Sequence, residues 1–437
     1  MLKKIATFVI IYLSLCTTGY AIEDAKKINL DEAVKITLEN NLDLKAAKIN
    51  ISIAKNNIKM ANRLQNPDVN LFYNLGKAGA GNPQQIGLSE TIEIAKRSAR
   101  KNLAKSNFEL EKEKVEFTSF DLKMAVREAY VNLMSAKSVL TALKEQQKLL
   151  EDLKNIAKKR VEAGAAPEID LLQAQIALNQ MTTQVNTAQV NVKTAAMEFN
   201  KIINAKNENA IVYDSNDGNL WEQKTFAMLL TPNPAENLPL FDNIVKDTLK
   251  NRFDLKIAKN EIDVAKKNLI LIGRQRIPDL ALIGGYAYQP DSMSDDGTFK
   301  TGAYAGASLV NLPLLYSYRP EIKNAKLQLE QADLKYTSVE NKAVKDLKSS
   351  YEKFVTAKMN LNYYNDNLLK NSEELVKISK RSYEVGKSNL TSLIVMEQSY
   401  KSIILGYNYA LAEYYNCWID FLRDVNTEEF DFNEKKV

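Results

Sequence analysis

The chain carries one segment twice. Asp31–Asp68 and Asp242–Asp279 align without a gap at a constant offset of 211 positions. Val34, Thr37, Leu38, Asn40, Asp43, Leu44, Lys45, Ala47, Lys48, Pro67 and Asp68 recur as Val245, Thr248, Leu249, Asn251, Asp254, Leu255, Lys256, Ala258, Lys259, Pro278 and Asp279. A duplicated chain is two copies of one structural unit, so neither half is to be read alone. Further along, Glu162 and Gly164 match Glu384 and Gly386 at an offset of 222. The second copy is therefore about eleven residues longer, most simply in its hairpin and flanks.

Each copy reads helix, hairpin, very long helix, turn, helix. From about Ile94 to Ala163 there is no Gly or Pro. At about 1.5 Å per residue a helix of that length runs about 100 Å. Leu103, Leu110, Phe117, Met124 and Val131 fall seven apart. So do Leu171, Leu178, Val185, Val192 and Phe199, and again Leu393, Tyr400, Tyr407, Tyr414 and Phe421. An apolar period of seven keeps one seam against a partner helix and implies a left-handed coiled coil. Pro67 and Pro278 end the first helices. Short alternating strands are expected at Val69–Leu75, Gln85–Ile94, Leu280–Tyr288 and Tyr304–Val310. Glycines, Pro83 and an acidic cluster from Asp291 to Asp296 mark the loops between them.

These boundaries give a signal segment over 1–21 and a first repeat over 22–203, with its hairpin at about 67–94 and its turn at 164. A connecting segment anchored by Trp221 and Phe226 follows over 204–240. The second repeat covers 241–423, with a hairpin at about 278–312 and a turn at 386. A frayed tail covers 424–437. The N-terminus has Lys3 and Lys4, an apolar run from Ile5 to Leu15 and a small-x-small site at Gly19–Ala21, which is the pattern of secretion. Leu15 stands before Cys16 where a lipid-attachment box needs a small residue, so lipidation is not expected. Of two cysteines, only Cys417 lies beyond that segment, too few for an internal disulfide. No later stretch is apolar for long enough to form a membrane helix, so any spanning element must be β.

The strands place Val69, Leu71 and Tyr73 on one face and Asn70 on the other. Leu280, Leu282, Tyr286 and Tyr288 oppose Ala281, Gly285 and Ala287. This pattern fits a membrane barrel, and it also fits a soluble hairpin capping a helical bundle. Four strands cannot close a barrel, and eight fill their own interior. Three copies give twelve, the smallest assembly with a lumen. The expected fold is mainly α with a small β part: an antiparallel coiled-coil tunnel joined to a 12-stranded trimeric membrane β-barrel.

At this point the chain resembles the TolC-type outer-membrane efflux proteins over essentially its whole mature length. The resemblance rests on INLDEAVKITLENNLDLKAAK with its echo FDNIVKDTLKNRFDLKIAK, on QNPDVNL and RIPDLAL, and on KRVEAGAAPEIDLLQAQ with its echo RSYEVGKSNLTSLIVMEQ. LSETIEIAKRSARKNLA adds a short likeness to the heavy-metal branch. The resemblance implies a homotrimeric duct in the outer membrane of a Gram-negative-type bacterium, with a periplasmic helical domain. It implies a periplasmic adaptor and an inner-membrane pump of the resistance-nodulation-division type as partners. It also implies that the two helical turns form the periplasmic tip, with Gly164, Ala165, Ala166, Gly386, Lys387 and Ser388 docking the adaptor.

For the gate, the resemblance implies Asp170 and Tyr383, joined by a hydrogen bond. Three copies of Asp170 would form a carboxylate ring; alternatively an acid in a first helical turn simply suits the helix dipole. The position equivalent to Asp170 in the second repeat is Ser392, and Ser388 stands where relatives carry a basic partner, so the second latch is missing. Tyr73, Tyr286, Tyr288 and Tyr304 are candidates for an interfacial aromatic belt, or for ordinary strand packing.

Composition excludes several other classes. With no His there is no Ser-His-Asp triad and the commonest metal ligand is missing. No phosphate-binding glycine loop, G-x-S-x-G or C-x-x-C is present. No enzyme activity, cofactor or metal is expected. The formal net charge of +5 is too small and too spread for nucleic acid. Two alternatives stand beside the efflux duct: a duct for type I protein secretion, and a periplasmic coiled-coil scaffold that is not a channel.

Overall fold

A computed structural model describes residues 30–73, 84–204, 241–288 and 302–428. The signal segment, the connecting segment with Trp221 and Phe226, and both hairpin loops, including the Asp291–Asp296 cluster, lie outside the described residues. In chain order the elements are α1 Leu30–Asn40, α2 Leu42–Ala61, β1 Asp68–Tyr73, β2 Gln84–Ile92, α3 Lys96–Glu162 and α4 Glu168–Ile203. The second repeat gives α5 Phe241–Asn251, α6 Phe253–Arg274, β3 Asp279–Tyr288, β4 Gly302–Val310, α7 Arg319–Tyr363, a π turn Tyr364–Leu368, α8 Leu369–Glu384 and α9 Leu390–Val425. The chain forms two compact units. Among the described residues, one holds 30–42, 120–204, 241 and 347–428; the other holds 43–73, 84–119, 242–288 and 302–346.

The duplication reaches the backbone. The single helix expected ahead of Pro67 is broken at Asn41, and α5 and α6 are broken at Arg252, the same position 211 residues on. In each break the amide bonds back four residues, Asn41 to Thr37 O at 2.8 Å and Arg252 to Thr248 O at 3.1 Å. The first long helix is continuous for 67 residues, while the second is interrupted by the π turn. The offset changes across that turn. Tyr130, Ala136, Lys137 and Leu140 recur 221 positions on, as Tyr351, Ala357, Lys358 and Leu361. Glu162 recurs 222 positions on. One extra residue has entered the helix. A π turn absorbs a residue inside one wide turn and leaves the seam on either side in register.

In the first unit the seams are buried or half-buried. Phe354 lies against Tyr414, Trp418 and Phe421, with ring centroids 5.0–6.2 Å apart. Ser138 Oγ donates to Asn408 Oδ1 at 2.5 Å, pinning α3 to α9. The expected tail begins later than Asp424: α9 runs to Val425 and is capped by Asn426 at φ 63°. Lys123 then pairs with Glu428 at 2.5 Å, so the chain stays anchored to that point.

The second unit carries a four-stranded antiparallel sheet in the order β1-β2-β3-β4, with β1 and β4 as its edges. Val69 pairs with Leu88, Leu71 with Ile86, Ile86 with Tyr286 and Leu280 with Leu309. Val69, Leu71, Ile86, Leu88, Leu282, Tyr286 and Leu309 therefore share one face, and all are exposed. The other face carries Asn70, Gly87, Gly285 and Tyr304. Gly285 pairs with both Gly87 and Tyr304. A Cβ on Gly285 would lie 2.6 Å from the Tyr304 hydroxyl, so the ring lies over glycines that leave it room.

Tyr304 thus stands on the face opposite Tyr286 and does not join a belt with it. The register of a hairpin is set by its loop, which alternation within one strand does not report. Tyr73 and Tyr288 are strand ends whose side chains lie outside the described residues. Among the described residues no helix is long and apolar enough to cross a membrane.

Candidate functional site: the paired helical turns

Both turns belong to the first unit and close in the same way. Gly164 has φ +68° and Gly386 has φ +75°, the left-handed region that favours glycine. Ala165 N bonds Arg160 O at 2.8 Å, and Lys387 N bonds Ser382 O at 2.8 Å. Gly164 N bonds Val161 O at 2.9 Å, and Gly386 N bonds Tyr383 O at 3.0 Å. These are matched Schellman-type closures, which satisfy carbonyls a helix end leaves open. Gly164, Ala165, Gly386 and Lys387 are exposed, while Ala166 and Ser388 are half-buried.

The side chains are not matched. Tyr383 is only 1 % exposed and packs with Leu390, Leu393 and Ala174 in the seam above the turns. The Arg160 guanidinium lies 4.6 Å from the centroid of its ring. Arg160 Nη1 also donates to the Tyr383 carbonyl, and Nη2 reaches Ala165 O at 3.4 Å. A Cβ on Gly386 would stand 3.4 Å from Nη2, so the guanidinium packs against that turn. One cation from the first turn therefore clamps both turns together, through a cation–π contact and fork-shaped hydrogen bonding.

Asp170 lies in the first turn of α4 and is half-buried. Tyr383 Oη donates to its Oδ2 at 3.5 Å, the outer limit of a hydrogen bond. Burial pushes the Tyr383 phenol up, the Asp170 charge adds to this, and Arg160 opposes it. The tyrosine is therefore a neutral donor at ordinary pH. Among the described residues, no side-chain hydrogen bond or ion pair joins Lys387 or Ser388 to either residue.

Arg160 has no periodic signal, and sequence reasoning missed it. The one clue is the duplication itself, which puts Ser382 at the equivalent position. Glu397 was missed for the same reason. It is buried on α9, its Oε2 has no hydrogen-bond partner, and it lines a cavity of about 30 Å³ with Gln146, Gln180, Gln184 and Lys401. Burial raises its pKa, with Lys380 pulling the other way. Among the described residues no group of three or more Cys, Asp or Glu is placed to hold a metal ion.

A family model described as outer membrane efflux protein matches residues 33–205 and 244–402, both repeats. The chain belongs to that family. It is an outer-membrane protein with a periplasmic helical domain. Toxin and drug export protein A of Aggregatibacter actinomycetemcomitans is 22% identical over 290 residues, 66% of this chain and 60% of that one. The chain thus spans about three-fifths of that relative's length. The fold is similar to the Campylobacter jejuni CmeC outer membrane channel, with TM-score 0.70 and 19% identity over 92% of this chain and 87% of that one. It is equally similar to the open-state Neisseria gonorrhoeae MtrE channel, with TM-score 0.72 and 16% identity over 91% and 89%. Likenesses of one size do not single out the heavy-metal branch.

Proposed function

We propose that three copies of this chain form a passive duct, the outer-membrane component of a tripartite efflux system. The observation that carries it is the sheet. Its apolar face is exposed, and β1 and β4 are open edges, which cannot stand in lipid unless a neighbour pairs with them. Three four-stranded sheets close that requirement at twelve strands. A second feature supports the same partner. Ile169, Ile176, Val190 and Met197 lie exposed on a period of seven along α4, with Thr183 at the intervening position, apart from the buried seam of Ala174, Met181 and Val185. An exposed heptad seam fits a helix of a second copy.

In this duct the helical turns face a periplasmic adaptor through Gly164, Ala165, Ala166, Gly386, Lys387 and Ser388. An inner-membrane pump, of the resistance-nodulation-division type, supplies the energy. The Arg160–Tyr383–Asp170 clamp holds the tip closed, and opening separates the two turns. No bond is made or broken by the protein itself. Because one relative's name joins toxin and drug export, a duct serving type I protein secretion is the second reading. To test the duct, protein extracted from outer membranes is weighed as an intact assembly and then placed in a planar bilayer. A trimer that passes discrete current steps is expected, and Ile176→Asp with Val190→Asp is expected to release monomers. A monomer that stays soluble without detergent would leave only a scaffold.

A further inference from the structure

Four stretches of the second unit join helix to strand: residues 61–68, 93–101, 274–279 and 311–323. Together they hold nine basic and four acidic residues, a net of +5. With the signal segment over 1–21 set aside, the rest of the chain nets −2, so the positive excess sits at the base of the sheet. The same stretches are where large apolar side chains leave the protein. Ile94 and Ile277 are exposed, and between β4 and α7 the run Leu314-Leu315-Tyr316 stands out, with Leu315 104 % exposed. This run is held in place. Arg276 Nε donates to Ser317 O at 2.8 Å, and Tyr316 Oη donates to Glu321 Oε1 at 2.6 Å. Arg319 follows three residues after Tyr316.

Apolar side chains beside an excess of positive charge, at the foot of an apolar sheet face, match the acyl–headgroup boundary of a bilayer. We infer that Leu314–Tyr316 inserts into the periplasmic leaflet of the outer membrane, and that the exposed Arg63, Arg276, Arg319 and Lys323 at the same end of the sheet bind the phosphates of anionic phospholipids there, Lys96 being buried against Asp279. The positive excess beside these leucines is complementary to an anionic surface; a neighbouring copy lying over the same leucines is the competing occupant. The inference rests on the sheet spanning the membrane and adds the depth and lipid class at its base.

The test uses the full trimer with Leu315→Trp, reconstituted in vesicles in which phosphatidylglycerol or phosphatidylcholine carries bromine on its acyl chains; the wild-type signal from Trp221 and Trp418 is subtracted. Blue-shifted emission, quenched about twofold more by the brominated phosphatidylglycerol, is expected. Blue-shifted emission that neither lipid quenches would mean a second copy covers the site and would overturn the inference. Red, unquenched emission would mean water and would overturn it too. Equal quenching by both lipids would remove the phosphate half. Leu71→Trp on the sheet face is the control. If it is not quenched, the barrel itself is at fault; if it is quenched and position 315 is not, only the anchor is wrong. Leu314→Trp repeats the test should Leu315→Trp fail to assemble.

Discussion

The two helical turns share a backbone and differ in almost every side chain that acts. Both close on a left-handed glycine with the same pair of hydrogen bonds 222 positions apart. Yet the first supplies Arg160 and Asp170, where the second has Ser382 and Ser392, and the second supplies Tyr383, where the first has Val161. The first helix of the return pair starts at Pro167 with no side-chain cap, and the second starts at Asn389, whose Oδ1 accepts from Ser392 N at 2.8 Å. Duplication preserved the scaffold, because turn geometry and seam spacing are needed twice. The clamp is needed once, so its parts were free to divide between the copies.

The largest expected contrast lies in the long helices. Removing Asn365 from the π turn takes out the inserted residue and is expected to leave a regular helix and an assembled trimer. Removing Leu143 from the continuous helix α3 rotates every later seam residue by about 100°. Assembly is then lost, which heat-resistant trimer on a gel would report. Equal tolerance of both deletions would break the comparison.

Tyr383→Ala removes a fully buried ring and is expected to cost about 3 kcal/mol. Val161→Ala, its half-buried counterpart, is expected to cost less than about 1 kcal/mol. Tyr383→Phe is also expected to fall below about 1 kcal/mol, since a 3.5 Å contact contributes little. Thermal midpoints of the three variants in one detergent check the order.

Glu397 stands where the first repeat has Gln175. Its pKa is raised in the folded state, so folding favours the protonated acid. The cost of the buried charge is full above the raised pKa and disappears as pH falls below the unfolded value of about 4.5. Glu397→Gln is therefore expected to stabilise by on the order of 1 kcal/mol at pH 7 and by nothing near pH 4. Melting curves at the two pH values decide it.

The smallest contrast concerns the caps. Asn389→Ala is expected to cost about 1 kcal/mol, and Pro167→Ala is expected to be nearly neutral because no cap is lost. Faster amide hydrogen exchange at the start of α9 alone would sharpen the asymmetry.

Much of this architecture was legible in the sequence. The fixed offsets exposed the repeat, the heptads exposed the seams, and Gly164 and Gly386 located both turns. The breaks at Asn41 and Arg252 were not legible, because neither is Pro or Gly and the helical composition runs through them. The π turn hid inside the difference between 211 and 222, which looked like loop length alone. Tyr304 moved to the other face because its register depends on a loop. Arg160 escaped because its partner lies 223 residues away, and no local pattern records a contact across repeats.

The most direct measurement is single-channel conductance of the wild-type trimer beside Arg160→Ala and Ser382→Ala. If Arg160 holds the two turns shut, its loss is expected to raise conductance severalfold while Ser382→Ala leaves it unchanged. Equal conductance in all three would contradict the clamp and leave Arg160 as a residue that only stabilises the turn.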